Sequence, residues 1–246
     1  MNRGKKGIGD LYQQETKYRR GAMPGGGLNW AQQPSPYKEY RHSIKQYPLR
    51  PVDPKGGKPL WETMATRRSI RDFSPQFITF SELSQLTWAT QGITSGACRY
   101  DFRIVPSAGA LYPIETYMVA NRVEEISHGL YHYNVKETEW SLLKDGHWGL
   151  ELSRAGLGQE MLEEAACVFI WTAIIERSKW KYRERAYRYI YLDAGHIGQN
   201  LYLAATGLGL GCCTVGAFFD EEVDQLIGVD GKNEISIYLG AIGGPR

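Results

Sequence analysis

A surplus of charge is what this chain lacks first: 29 Lys and Arg against 27 Asp and Glu leave a formal +2. A balance that close gives no bulk attraction to nucleic acid or to an anionic membrane, so partners have to be recognised by local groups. Cysteine is scarce as well. Cys98, Cys167, Cys212 and Cys213 include no C-x-x-C pair, and adjacent cysteines neither bridge each other readily nor chelate one metal, so a reduced, cytoplasmic setting is expected. Long hydrophobic runs are missing too: Cys167–Ile175, interrupted by Thr172, is too short to cross a bilayer. The basic start Met1–Gly7 leads into polar Gln13, Gln14 and Glu15, which is no secretory signal. His42, His128, His132 and His147 show no metal spacing, because Gly129–Tyr133 reads as strand and would separate the His128 and His132 rings. No metal is expected.

Residues 1–58 collect Gly, Pro, Gln and Tyr, and neither a helical nor a strand period survives there. Trp30, Tyr37, Tyr40 and Tyr47 are more aromatic than a solvated linker needs, so the segment reads as an extended arm packed on the body or on a partner, with a floppy tail as the other reading. A single domain is expected over 59–246.

The body alternates helix and strand signals in the manner of a mixed fold with a central sheet. Thr79-Phe80-Ser81-Glu82 is a capping-box pattern that opens a helix through about Thr90, closed by Gly92. Strands are expected at Glu115–Asn121, Leu130–Asn134, Glu139–Leu143, Ala166–Ile175 and Glu234–Ala241, where β-branched and aromatic residues concentrate. Ala186, Ile190, Ala194, Ile197, Leu201 and Ala205 recur at steps of three and four, which predicts one long helix from about Tyr182 to Thr206 with Gly207 as its C-cap. Small residues along it would let another helix approach closely.

Several clusters could carry chemistry. Arg67-Arg68-Ser69-Ile70-Arg71-Asp72 puts three guanidinium groups and a hydroxyl within five residues, a set matched to a phosphomonoester, although a basic run of this kind also suits the charged end of a helix. Were the run helical, positions 67 and 71 would share a face and 68 would not, leaving one arginine free to pair with Asp72. Pro106-Ser107-Ala108-Gly109 is a turn of small residues before a strand, where backbone can approach a flat ligand or simply lead into the strand. Gly207-Leu208-Gly209-Leu210-Gly211 is no dinucleotide fingerprint, since Cys212 stands where the third glycine would be and the run follows a helix. Lys181-Tyr182 lies in the basic run Lys179–Arg185, which would also serve as a solvated helix start. Asp193 and His196, three residues apart, could pair as a general base or be core and interface groups.

In this order, the motifs Arg67–Arg71, Pro106–Gly109, Lys181-Tyr182, Leu192–Leu201 and Gly207–Gly211 resemble the nitroreductase superfamily of FMN enzymes, and within it the SagB-type dehydrogenase branch that includes the azoline oxidases. The resemblance runs from about Leu60 to the C-terminus. It implies an α+β fold, with a central mixed or antiparallel sheet flanked by helices and the long helix at the centre of a homodimer. It implies an oxidoreductase that binds FMN through Arg67, Arg68, Ser69 and Arg71 at the phosphate and ribityl chain. Pro106, Ser107, Ala108 and Gly109 would lie along the ring, and Thr214, Val215 and Gly216 in a loop at its edge. Many nitroreductases carry an asparagine where this chain has Ala110, so that polar contact is expected to be missing. Lys181 and Tyr182 match the Lys-Tyr pair linked to heterocycle oxidation in the azoline oxidases, where a lysine amine can take the proton as hydride leaves. The resemblance leaves open three readings: oxidation of a small molecule or peptide heterocycle, reduction of nitro compounds or quinones with NAD(P)H as donor, and a flavin-binding subunit of a larger complex with little activity of its own.

Overall fold

The computed structural model describes residues 7–22, 27–95 and 101–246, so Cys98 lies outside the described residues. In chain order the elements are helix α1 (Ile8–Glu15), strand β1 (Lys45–Pro48), helices α2 (Leu60–Thr66) and α3 (Phe80–Gln91), and strands β2 (Ile93–Ser95), β3 (Phe102–Arg103), β4 (Ile114–Ala120), β5 (Gly129–Asn134) and β6 (Glu139–Asp145). Helices α4 (Gly149–Ala155) and α5 (Met161–Glu164), strand β7 (Cys167–Ile174), helices α6 (Ile175–Tyr182) and α7 (Ala186–Gly207), strand β8 (Gly211–Val215), helix α8 (Asp220–Ile227) and strand β9 (Glu234–Gly243) follow.

Seven strands form one sheet in the order β1-β6-β5-β4-β7-β9-β8, with antiparallel neighbours throughout. Strand alternation then sorts the core into two layers. Met118, Ala120, Phe169 and Trp171 face Leu83 and Leu86 of α3 and Ile190, Ile197 and Leu201 of α7. Tyr117, Val119, Val168, Ile170 and Leu239 face Leu152 of α4, Leu162 of α5, and Val223 and Ile227 of α8. Because both faces are covered, β4 and β7 read as nearly continuous apolar runs. The fold is the α+β class that the resemblance implied, with the antiparallel form of its sheet.

Three local expectations are corrected. The long helix is α7, and it starts at Ala186, not near Tyr182: Tyr182 ends the separate helix α6, and Arg183, at φ 50° and ψ −137°, breaks the chain between them. The apolar positions that mark the helix, Ala186 to Ala205, all lie within α7, and the period leaves its first residue loosely defined. The glycine cap of α7 is Gly209, not Gly207. Gly209, at φ +77°, donates to the Thr206 carbonyl at 3.1 Å while Leu210 donates to Ala205 at 2.8 Å, the paired bonds of a Schellman ending. Residues 1–58 do contain regular elements, α1 and β1. Helix α1 buries no residue and is held by a local cap, Asp10 accepting the Gly7 N–H at 3.3 Å, and by the Tyr12 tie to Arg188, whereas β1 exists by pairing with β6, Tyr47 opposite Trp140.

Candidate functional site

Arg67 caps the C-terminal end of α2, and the chain beyond it is extended, Ser69 making a parallel bridge to Cys212 of β8. The charged-helix-end reading therefore fails for 68–71, and the arginines diverge. Arg67 lies over the Tyr202 ring, 5.1 Å from its centre, and Ser69 Oγ is 2.9 Å from Tyr202 Oη. The same Tyr202 oxygen accepts the Thr214 backbone N–H at 3.0 Å. Tyr202 thus brings Arg67, Ser69 and Thr214 together. Arg68 instead folds back on the Ala65 and Arg67 carbonyls, and Arg71 lines a separate cleft with Gln159, Glu160 and Glu164. Asp72 pairs with Arg246 at 3.2 Å, so neither arginine serves it. Thr214 and Val215, expected in a loop, close strand β8 instead, because Ile70 and Phe73 pack where Gly211 has no Cβ and seat the strand against β9. Only Gly216 is loop, exposed and with open space at its Cβ position. Among the described residues, Arg67 has no carboxylate partner, so its donors suit an external anion.

A second cluster forms around the Pro106–Gly109 turn. Asp193, buried on α7, accepts from Ser107 Oγ at 2.6 Å and from the Ala108 N–H at 3.2 Å, while Ser107 Oγ accepts the Tyr112 N–H at 3.0 Å. The polar groups of Ser107 and Ala108 that were assigned to a flavin ring are engaged inside the protein. Asp193 shapes the turn; His196 is exposed and makes no bond to it, which removes the general-base pairing. Burial pushes the Asp193 carboxyl up, against the opposing bonds from Ser107 and Ala108. Gly109, at φ +67°, comes to lie under the last turn of α6: a Cβ there would sit 2.6 Å from Tyr182 Oη and 2.9 Å from Lys181 Nζ. Lys181 and Tyr182 are therefore part of the same cluster as the turn. The Tyr182 hydroxyl is pushed up by burial, then by Tyr189 and Asp193, and stays protonated at neutral pH. Tyr202 and the role of Asp193 escaped the sequence reading, although Gly198 and Tyr202 at i, i+4 on α7 were a signal, because Gly198 admits Tyr238 beside Thr214.

The two clusters are not adjacent. Asp193 and Tyr202 are nine residues apart on α7, which at 100° per residue places them about 180° apart around the helix and about 13 Å along it. Pro106–Gly109 with Lys181-Tyr182 flanks one border of the buried face of α7, and Arg67, Ser69 and Thr214 flank the other. A cleft of about 530 Å³ between Pro51–Lys58, α3 and the end of α7 contains none of the expected site residues.

The nitroreductase family profile matches residues 64–244, a span that contains both clusters. The chain belongs to the nitroreductase family. A protein of Methanocaldococcus jannaschii named as a nitroreductase is 37% identical over 168 residues, 68% of this chain and 83% of its own. The trifolitoxin-processing protein TfxB of Rhizobium leguminosarum bv. trifolii is 39% identical over 113 residues, 44% of this chain and 30% of its own. The microcin B17-processing protein McbC of Escherichia coli is 29% identical over 133 residues, 52% of this chain and 49% of its own. The aligned regions span less than half the length of these two processing proteins. The solved E. coli microcin synthetase McbBCD complex, with truncated pro-MccB17 bound, shares the fold at TM-score 0.63 and 19% identity, covering 99% of this chain and 84% of that one. The matches to the two processing proteins side with the SagB-like branch of the family. Family membership makes the chain an oxidoreductase by descent and implies use of a flavin. Among the described residues no helix is long and apolar enough to cross a membrane, and no group of three or more His, Cys, Asp or Glu could hold a metal ion.

Proposed function

We propose that this chain is an FMN-dependent, SagB-type oxidoreductase that dehydrogenates a small-molecule or peptide heterocycle, and that it works as a cytoplasmic homodimer. The observation that carries the reading is the contact between the Gly109 backbone and the Lys181-Tyr182 pair, which sets an amine and a phenol against a turn too small to shield them. Arg67 and Ser69 are the groups to hold the phosphate, with the Gly216 backbone toward the ring edge and Gly109 along the ring. When bound, FMN would supply the two-electron acceptor. Dehydrogenation also releases a proton, and Lys181 is the base for it: it has no carboxylate partner among the described residues, whereas Lys179 is paired with Glu184. Tyr182, held protonated, can donate a hydrogen bond to the heterocycle and orient it.

The homodimer is supported by the separation of the two clusters on α7. Neither is complete alone, and a second copy packed along α7 would set the phosphate groups of one chain beside the Gly109 turn of the other. A second reading, an NAD(P)H-driven reductase of nitro compounds or quinones, is favoured by the long match to the archaeal protein named as a nitroreductase. Lys181→Ala separates the two. Heterocycle oxidation should fall about 100- to 10,000-fold with FMN still bound, since a general base is lost. Hydride transfer from a nicotinamide needs no side-chain base, so NAD(P)H-dependent dye reduction should persist. A mutant that oxidises heterocycles at the original rate would refute the assignment of Lys181.

A further inference from the structure

Arg177 stands one helical turn before Lys181 on α6 and is 2% exposed. Its guanidinium reaches three separate parts of the chain. Nε donates to the Ser35 carbonyl at 2.7 Å, Nη1 to the Tyr112 carbonyl at 3.1 Å, and Nη1 also to Glu115 Oε1 at 2.5 Å. Ser35 belongs to the N-terminal arm, Tyr112 ends the segment that begins with the Ser107–Gly109 turn, and Glu115 is in β4.

The arm is tied to the same helical stretch at further points, in reverse order. Trp180 Nε1 donates to the Asn29 carbonyl at 3.0 Å, Arg185 Nη1 to the Thr16 carbonyl at 2.6 Å, and the Arg188 N–H to Tyr12 Oη at 2.8 Å. The tie points therefore fall in antiparallel order along α6 and the start of α7, with Lys181-Tyr182 between those of Asn29 and Thr16. The turn beneath is held at one end by Asp193 and at the other by Arg177.

We propose that Arg177 is a positioning residue: by bonding the arm, the Tyr112 end of the turn segment and Glu115 at once, it sets the spacing between Lys181-Tyr182 and Gly109, which makes the N-terminal arm a working part of the site. Only a guanidinium serves three acceptors spread in this way. A lysine keeps the charge opposite Glu115 and loses the fork, so the arm and the turn come free. The inference rests on the proposed function only for what Lys181 does; the spacing is measurable without turnover.

The test uses the full chain carrying Arg177→Lys, with Arg154→Lys on the exposed side of α4 as control. Amide hydrogen exchange is followed at residues 29–36, 107–112 and 177–182. Loss of a charge-assisted bond corresponds to about tenfold or more, so exchange in all three segments should rise together by that factor while β7 and β9 stay protected. With the flavin loaded, kcat should drop about 100-fold with KM little changed, as expected for misplaced reacting groups. A rise confined to 177–182, a uniform rise through the sheet, or an unchanged kcat would each overturn the proposal. Should Arg177→Lys not fold, Trp30→Ala at the exposed edge of the arm loosens the Asn29 tie from outside. Faster exchange at 107–112 with lower kcat supports the proposal, and a silent turn refutes it. Failure of the Lys181 assignment appears instead as an active Lys181→Ala, on a different variant.

Discussion

Arg67 carries a guanidinium that faces an aromatic ring and, among the described residues, no carboxylate, so removing it should be felt by a ligand more than by the fold. Arg67→Ala is expected to weaken FMN binding by about 1.5–3 kcal/mol, tenfold or more, with Tm nearly unchanged; equilibrium dialysis against free FMN measures it, and equal affinity would move the phosphate elsewhere. Glu115 is the opposite case, a carboxyl buried among cations. Burial pushes it up, but Arg177 and then the His132 hydrogen bond push it down harder, to about 2 against an ordinary 4.5. A depressed carboxyl adds stability that is complete above its ordinary value and lost as pH falls through the folded one, here between about 4.5 and 2. Glu115→Gln should lower stability at pH 7 by about 3–5 kcal/mol, because Arg177 is left buried and unpaired, and should flatten the acid limb. Melting curves from pH 7 to 2.5 decide it; parallel limbs in the two proteins would contradict the account.

Helix ends show how far local rules reach. The Thr79–Glu82 capping box forms as expected, with Thr79 Oγ1 accepting the Glu82 N–H at 3.1 Å and Glu82 Oε2 accepting the Thr79 N–H at 2.7 Å, because all its partners lie within four residues. The other end of the argument, which glycine stops α7, depends on a turn's worth of backbone and fell to Gly209. Gly209→Ala should cost about 1–2 kcal/mol: no atom lies within 4 Å of the new Cβ, so the penalty is the left-handed backbone alone. Gly207→Ala, inside the helix, should instead be neutral or gain up to about 1 kcal/mol. Urea unfolding of the pair tests this, and a reversed order would return the cap to Gly207. Strand β8 and strand β1 were not legible for a different reason. Each is an edge strand formed on segments distant in the chain, β9 and residues 69–73 for β8, and β6 for β1.

At the scale of the molecule the question is what a single chain leaves unfinished. The outward side of α7 shows Tyr191 and Leu192, 57% and 54% exposed, beside Gly195, whose Cβ position is open. Gly195→Glu should therefore leave the monomer folded, with a better helix former in place, while placing a buried charge in any α7-centred interface. If dimer and flavin are linked as proposed, the variant runs as a monomer in light scattering and loses FMN together with its partner, since a ligand held by both chains stabilises their association. A Gly195→Glu dimer that keeps its flavin would show that the partner surface lies elsewhere.

Sequence alone determined the fold class, the main strands, the family and the residue types available for chemistry, because period, caps and ordered motifs are written within short windows. It also brought Lys181, Tyr182 and the Pro106–Gly109 turn into one list without any means of knowing that they touch. Tertiary structure decided which members of each motif lie together. It turned Arg68 and Arg71 away from Tyr202, gave Asp193 to Ser107 and Ala108 in place of His196, and started the long helix at Ala186, after a break at Arg183. It also tied Asn29 and Ser35 to α6, and Tyr12 and Thr16 to the residues just beyond it. Each of these is a contact between segments far apart in the chain, where the partner's position, not the residue's own propensity, fixes the outcome.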